Sequence, residues 1–222
     1  MKELKVRITF KQGILGTLTG DKDVYKNFIA SKSPDASTLE EEVANLGEEA
    51  VIEKGKTIFP KYEGKPFIYD YQIRGFFKSA CSALKQVEKT KSSKIKAYKK
   101  KVDLTIFVND RMNFIENYKE IAECQRPLRC STMQGERVSI AISEEIPAGA
   151  TVNFTVRCLI DDDIELVKEW LDYGQYNGLG QWRNSSKGSF YYEILDKDGK
   201  VLESNLPKYW QGAEKYSLAE VE

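Results

Sequence analysis

A glycine-rich stretch near the C-terminus carries residue types that are suited to holding a nucleic-acid strand. It reads GQYNGLGQWRNSSKGSF from Gly174 to Phe190. Glycine allows positive φ and close approach of another chain, Arg and Lys contact phosphates, and Trp offers a face on which a base stacks. The candidate contacts are Gly178, Gly180, Gln181, Trp182, Arg183, Asn184 and Lys187. A solvated hairpin loop explains the same glycines, so this stretch alone leaves both interpretations open.

A second set of candidate contacts lies on a predicted helix. In YQIRGFFKSACSALKQVE, one apolar face is formed by Ile73, Phe76, Phe77, Ala80 and Leu84. Arg74 and Lys78 are four residues apart and share the neighbouring face, with Gly75 between them. We expect a backbone or a phosphate to come close at Gly75. We also expect the glycine-rich stretch to lie across a sheet from this helix start.

A lysine-rich segment adds positive charge. It reads KQVEKTKSSKIKAYKKK from Lys85 to Lys101, with Glu88 as its one acidic residue. The run predicts a flexible arm that reaches phosphates, with Lys96 and Lys99 as candidate contacts. A solvated helix and loop surface is the alternative. Three arginines around a predicted hairpin allow the same two interpretations: Arg126, Arg129 and Arg137.

The composition excludes several kinds of catalysis. Lys and Arg together number 34, as do Asp and Glu, and the chain contains no histidine. Ser-His-Asp, Cys-His and HExxH sites are therefore excluded. The four cysteines have no CxxC spacing, so we predict no disulfide and no cysteine nucleophile.

The Asp161-Asp162-Asp163 triplet is the remaining metal candidate. It precedes IELVKEWLDYG, which has helical periodicity, so we interpret the triplet as a helix N-terminus that is favoured by capping and the helix dipole. We predict neither a cofactor nor a metal.

The elements that would position these residues form an α+β pattern. Alternating apolar residues predict strands at LKVRITF, VDLTIFV, TVNFTVRCLI and FYYEIL, and two strands flank Gly135. Short helices are predicted at Asp21–Ser31 and at Ser37 to about Leu46. The order suits a ferredoxin-like (βαββαβ) core with an antiparallel sheet. We predict a single domain over 1–204, with an acidic insertion at 33–64, a lysine-rich insertion at 85–101 and a tail at 205–222 in which Tyr209 and Trp210 dock.

No stretch is apolar enough to predict a membrane span, and no secretory signal is recognised. The sequence thus predicts a soluble, cytoplasmic protein with no membrane partner.

Three segments resemble the repeat-associated mysterious protein (RAMP) superfamily of CRISPR systems, above all the backbone subunits that coat the guide RNA. LKVRITFKQGILG resembles their opening strand and glycines, GKPFIYDYQIRGFFKSACSALK their first core helix, and GLGQWRNSSKGSFYYEI their glycine-rich loop before the last core strand. The helix segment departs from the superfamily pattern in having Tyr69-Asp70-Tyr71 in place of proline-glycine-serine.

The resemblance implies a non-catalytic protein that binds single-stranded RNA, or single-stranded DNA, and that assembles along the strand or with other CRISPR-type subunits. A phage-encoded relative that binds phage nucleic acid or acts as a decoy in a host CRISPR complex is one alternative. A histidine-independent ribonuclease is another, and for it Asp21 and Asp23 are the candidates.

Overall fold

The computed structural model of the protein describes residues 1–20, 55–132 and 135–208, with the backbone alone at 128–132 and 135–139. These residues form three α-helices: α1 (Asp70–Leu84), α2 (Tyr98–Thr105) and α3 (Asp163–Tyr173). They also form thirteen strands: β1 (Lys2–Phe10), β2 (Ile14–Leu15), β3 (Leu18–Thr19), β4 (Thr57–Ile58), β5 (Lys61–Tyr62), β6 (Lys65–Tyr69), β7 (Ile106–Asn109), β8 (Met112–Glu116), β9 (Ala122–Thr132), β10 (Gly135–Ile146), β11 (Thr151–Cys158), β12 (Phe190–Leu195) and β13 (Val201–Ser204).

The larger sheet has the order β13-β12-β1-β11-β8-β6-β5, and β7 pairs with β11 beside β8. Its pairings are antiparallel, and Ile8 of β1 lies between Val152 of β11 and Tyr192 of β12. The alternation in β1 buries Leu4, Val6, Ile8 and Phe10, as the period-two pattern predicts. The predicted strands at β1, β11 and β12 are confirmed.

The helices α1 and α3 pack on the buried face of this sheet. Phe77 of α1 meets Trp170 of α3 with ring centroids 5.7 Å apart, and Phe76 meets Phe190 of β12 at 5.2 Å. Burying such rings stabilises a core by about 2–3 kcal/mol each. The α+β class with antiparallel sheets is confirmed.

A second, smaller sheet holds the loop after β1. Its order is β2-β10-β4-β3, with β9 paired to β10 in a long hairpin, as the two strands predicted around Gly135 require. Gly16 lies so close to β4 that a Cβ there would be 2.4 Å from the carbonyl carbon of Ile58. Because it has no side chain, Gly16 allows the segment between β2 and β3 to lie directly against β4.

One predicted strand was wrong in its bounds, and two strands were not predicted. The predicted strand at VDLTIFV begins at Ile106, because Val102 to Thr105 belong to α2. Val102 is fully buried, and the Thr105 hydroxyl donates to the carbonyl of Lys101, so tertiary packing and a local hydrogen bond outweigh the β preference of these residues. The sequence also gave no signal for β8 or for β13.

The aspartate triplet begins α3, as predicted, but its side chains do not cap the helix. Asp162 is the N-cap residue and makes no side-chain capping bond. Asp163 is buried, where it pairs with Lys101 at 2.7 Å and accepts a hydrogen bond from Thr105. Asp161 pairs with the N-terminal amine of Met1, whose hydrogen bond lowers the pKa of that carboxyl.

Several predictions fall outside the described residues. They concern the helices at Asp21–Ser31 and near Ser37–Leu46, most of the acidic insertion, and the docking of Tyr209 and Trp210. No helix within the described ranges combines the length and apolar character that crossing a membrane requires.

Candidate nucleic-acid interface

Several glycines of the glycine-rich loop, residues 174–189, lie so close to neighbouring atoms that no side chain would fit. A Cβ on Gly178 would lie 1.7 Å from the carbonyl oxygen of Gly188, and one on Gly188 would lie 1.8 Å from that of Leu179. A Cβ on Gly174 would overlap the ring of Phe190. Packing therefore explains Gly178, which is buried, without a contact to a nucleic-acid strand.

Gly180 and Gln181 fasten the loop to the smaller sheet. Gly180 has φ +83° and lies against the carbonyl of Leu15. The Gln181 amide donates to the carbonyl of Gly16 at 2.6 Å and to Thr57 at 3.1 Å. These two predicted contacts thus serve first to hold the loop in place.

Trp182 projects from the loop in a strained conformation. Its φ of +53° is uncommon for a bulky residue, and 37% of its surface is exposed. The Arg126 guanidinium lies 5.1 Å from the ring centroid of Trp182 and donates to the side-chain amide oxygen (Oε1) of Gln181 at 3.1 Å. This arrangement keeps the indole at the surface with a cation above it.

The three remaining predicted contacts of the loop, Arg183, Asn184 and Lys187, differ in their partners. Arg183 is exposed and donates to the hydroxyl of Ser79 on α1 at 3.3 Å, and Asn184 is exposed beside it. Lys187 forms a close ion pair with Glu145 of β10. The loop therefore lies beside the middle of α1, which corrects the expectation that it lies across the sheet.

The exposed face of α1 carries the second predicted set. Gly75 is exposed, and a Cβ there would meet no atom within 4 Å. Lys78 and Ser79 follow it by one helical turn, so all three residues are neighbours on this face. Lys78 pairs with Asp103 of α2 at 2.5 Å, whereas Arg74 pairs with Asp70 at 3.4 Å.

The lysine-rich segment is docked onto α3, which corrects the prediction of a flexible arm. Glu169 accepts hydrogen bonds from the backbone of Lys91 and Ser92, and the Ser92 hydroxyl accepts one from the Trp170 indole at 2.9 Å. Because Ser92 is fully buried, these bonds fix the segment where it crosses the core.

Lys96 and Lys99 remain exposed beyond this anchor. Lys99 precedes Asp103 by four residues and therefore shares its face of α2. Of the described carboxylates, none forms an ion pair with Lys96, Lys99 or Arg183. Their charges are available to an anion.

The structure brings three of the predicted segments to one place. We use the name α1 surface for the set Gly75, Lys78, Ser79, Arg183 and Lys99. The Arg183–Ser79 contact joins it to the glycine-rich loop, and the Lys78–Asp103 pair joins it to α2. Sequence reasoning did not predict Ser79 or Asp103, because their roles depend on contacts with Arg183 and Lys78 that only the folded structure shows.

Metal ligands do not gather in the part of the chain that the structure describes. No group of three or more Asp, Glu or Cys side chains there is able to hold an ion. Asp21 and Asp23, the candidates for a ribonuclease, lie outside the described residues.

Comparisons with known proteins find similarity at the level of structure. No protein-family profile matches the chain, and no curated protein does so. A chain in the cryo-EM structure of the type III-B Cmr-beta bound to cognate target RNA is similar, with a TM-score of 0.47 and 12% identity. The similarity covers 91% of this chain, which spans 61% of the length of that one.

Proposed function

We propose that this protein binds single-stranded nucleic acid, RNA in the first place, along the α1 surface. The observation that carries the proposal is the contact of Arg183 with Ser79, one helical turn from the exposed Gly75 and next to Lys78, which pairs with Asp103 of α2. Cations beside a position without a side chain can follow a phosphate backbone at short range. Trp182 lies next to Arg183 and offers a face to a base.

The order of elements supports a ferredoxin-like core. In chain order the core would be β1, α1, β7, β11, α3 and β12. The strands lie in the order β12-β1-β11-β7, each antiparallel to its neighbour. Two strand–helix–strand connections that interleave in this way are what a βαββαβ arrangement requires.

The finer proposal is that the protein is a relative of the RAMP backbone subunits. It would coat a strand without cutting it, side by side with further copies or with other CRISPR-type subunits. The support is the placement of the resembling segments, since the loop that follows Gly13, the helix that carries Gly75 and the glycine-rich loop meet around α1. Gln72 of α1 bonds to Thr17 after the first segment, and Arg183 bonds to Ser79.

Fluorescence anisotropy with labelled single-stranded RNA and DNA tests the binding proposal. We expect the wild type to bind with an affinity that falls as salt rises, with a log–log slope of about −0.7 for each neutralised phosphate. Arg183→Ala and the Lys96→Ala/Lys99→Ala double variant should weaken binding and make this slope shallower.

Lys197→Ala is the matched control. Lys197 is exposed in the turn between β12 and β13, at the end of β12 away from the glycine-rich loop. Its loss removes one positive charge from the whole molecule but none from the α1 surface. Equal losses of affinity for Lys197→Ala and Arg183→Ala would show that the α1 surface is not the binding site.

A further inference from the structure

The segment Tyr69-Asp70-Tyr71, where the likeness to the RAMP helix pattern breaks down, forms a cluster with Arg111 at the start of α1. The rings of Tyr69 and Tyr71 stack with centroids 5.2 Å apart and planes inclined by 20°. The Arg111 guanidinium carbon is 5.1 Å from the centroid of Tyr69 and 5.2 Å from that of Tyr71.

Arg111 carries the exposed positive charge of this cluster. Asp70 bridges two arginines, since it pairs with Arg111 at 2.5 Å and with Arg74 at 3.4 Å. Asp110, the chain neighbour of Arg111, adds an exposed carboxylate. Asp70 is mostly buried at 15% exposure, whereas Arg111 is 63% exposed, so the cation is the part that a ligand would meet.

Part of the cluster is exposed to solvent, and a cleft lies beside it. Tyr71 is 44% exposed. Arg111 also lines an open cleft of about 440 Å³, together with Met112, Phe114 and Asn153 and with the carboxylates of Asp110 and Glu116.

Position links the cluster to the α1 surface. Tyr71 precedes Gly75 by four residues, so it is the next residue toward the N-terminus on the same exposed face. Ser79, which Arg183 contacts, is eight residues beyond Tyr71, or about 12 Å along the helix axis. A strand that passes Arg183 and Gly75 would therefore reach Tyr71.

We propose that Tyr71 and Arg111 form a base-stacking subsite for single-stranded nucleic acid at the N-terminal end of the α1 surface. The inference rests on the proposed function and adds a second stacking position to Trp182. Tyr69 supports the ring of Tyr71 from behind, and Asp70 holds Arg111 beside both rings. Bases stack on aromatic rings and on guanidinium planes alike, with little regard to sequence.

The test compares two probes that carry the same number of phosphates, a single-stranded oligonucleotide with its bases and an abasic one, at one fixed salt concentration. We expect Tyr71→Ala to weaken binding of the probe with bases by roughly 5- to 150-fold, the range for one lost base stack. Binding of the abasic probe should be unchanged. Tyr71→Trp should bind the first probe at least as tightly as the wild type does.

The control is Tyr62→Ala, which removes an exposed tyrosine of β5 from outside the cluster and should alter neither affinity. An equal loss on both probes, or no loss on either, would overturn the stacking subsite. If Arg183→Ala weakens both probes while Tyr71→Ala weakens neither, the subsite fails and the proposed function stands. If the wild type binds neither probe, both fail.

Discussion

Replacing Gly75 should raise the stability of the protein and lower its affinity for nucleic acid at the same time. Gly75 lies within α1, where glycine costs about 0.5–1 kcal/mol relative to alanine. Since a Cβ there would meet no atom within 4 Å, Gly75→Ala should recover this free energy. For a protein of this size we expect the melting temperature to rise by about 1–4 °C.

The loss of affinity should grow with the size of the new side chain. Moving a phosphate from about 4 to about 6 Å from a cation weakens their attraction by about 1.4 kcal/mol at an effective dielectric of about 20. That is about tenfold in Kd. We therefore expect Gly75→Gln to bind about tenfold more weakly than the wild type, with Gly75→Ala in between.

Thermal unfolding and anisotropy titrations on the same preparations provide both measurements. Ser82→Ala is the control, because it raises helix propensity at an exposed position of α1 without adding bulk. Its affinity should stay at the wild-type value. Unchanged affinity in Gly75→Gln, alongside a higher melting temperature, would refute a strand path over this glycine.

Three further outcomes follow from local contacts. The hydrogen bond from Lys91 lowers the pKa of Glu165. This carboxylate therefore stabilises the fold above its ordinary pKa near 4.5, and its contribution is lost as the pH falls through the lowered pKa. The difference in melting temperature between wild type and Glu165→Gln should shrink to zero on acidification. Burial raises the pKa of Cys158 to about 11, so in native protein iodoacetamide should label the half-exposed Cys124 well before Cys158, as peptide mass mapping would show. Ser92→Ala should cost about 1–3 kcal/mol in denaturant unfolding, because it leaves a buried indole N–H without its acceptor; a cost near zero would contradict the anchoring of the lysine-rich segment.

The sequence predicted the elements whose pattern is local. The strand β1 alternates from Leu4 to Phe10, β12 is mostly apolar, and α1 has a continuous apolar face, so each was recognisable from its own residues. The two-residue strands β2 and β4 have no pattern of their own, because they exist only through pairing with β10. Tertiary burial of Val102 likewise overrode its local β preference.

The candidate site was predictable in its residue types but not in its assignments. Glycines, cations and a tryptophan in one stretch indicated contact with a strand, yet Gly178 and Gln181 turn out to hold the loop together. Lys187 is paired with Glu145, and Arg183 is the cation that reaches α1. Which predicted residues hold the loop together and which remain exposed depends on contacts between residues that are far apart in sequence.

Some residues of the candidate site are explained by packing within the fold, and others are not. The tight contact with Gly188 explains Gly178, because a side chain there would collide with a neighbouring carbonyl. Internal packing does not explain the glycine at position 75, where a side chain would fit freely. Trp182 lies beside the Arg126 guanidinium, yet 37% of its surface is exposed. Gly75 lies one helical turn from Ser79, and Trp182 is the chain neighbour of Arg183, which contacts Ser79. A glycine that the fold does not need and an exposed indole therefore lie on the two sides of one contact, as expected if a strand passes over it.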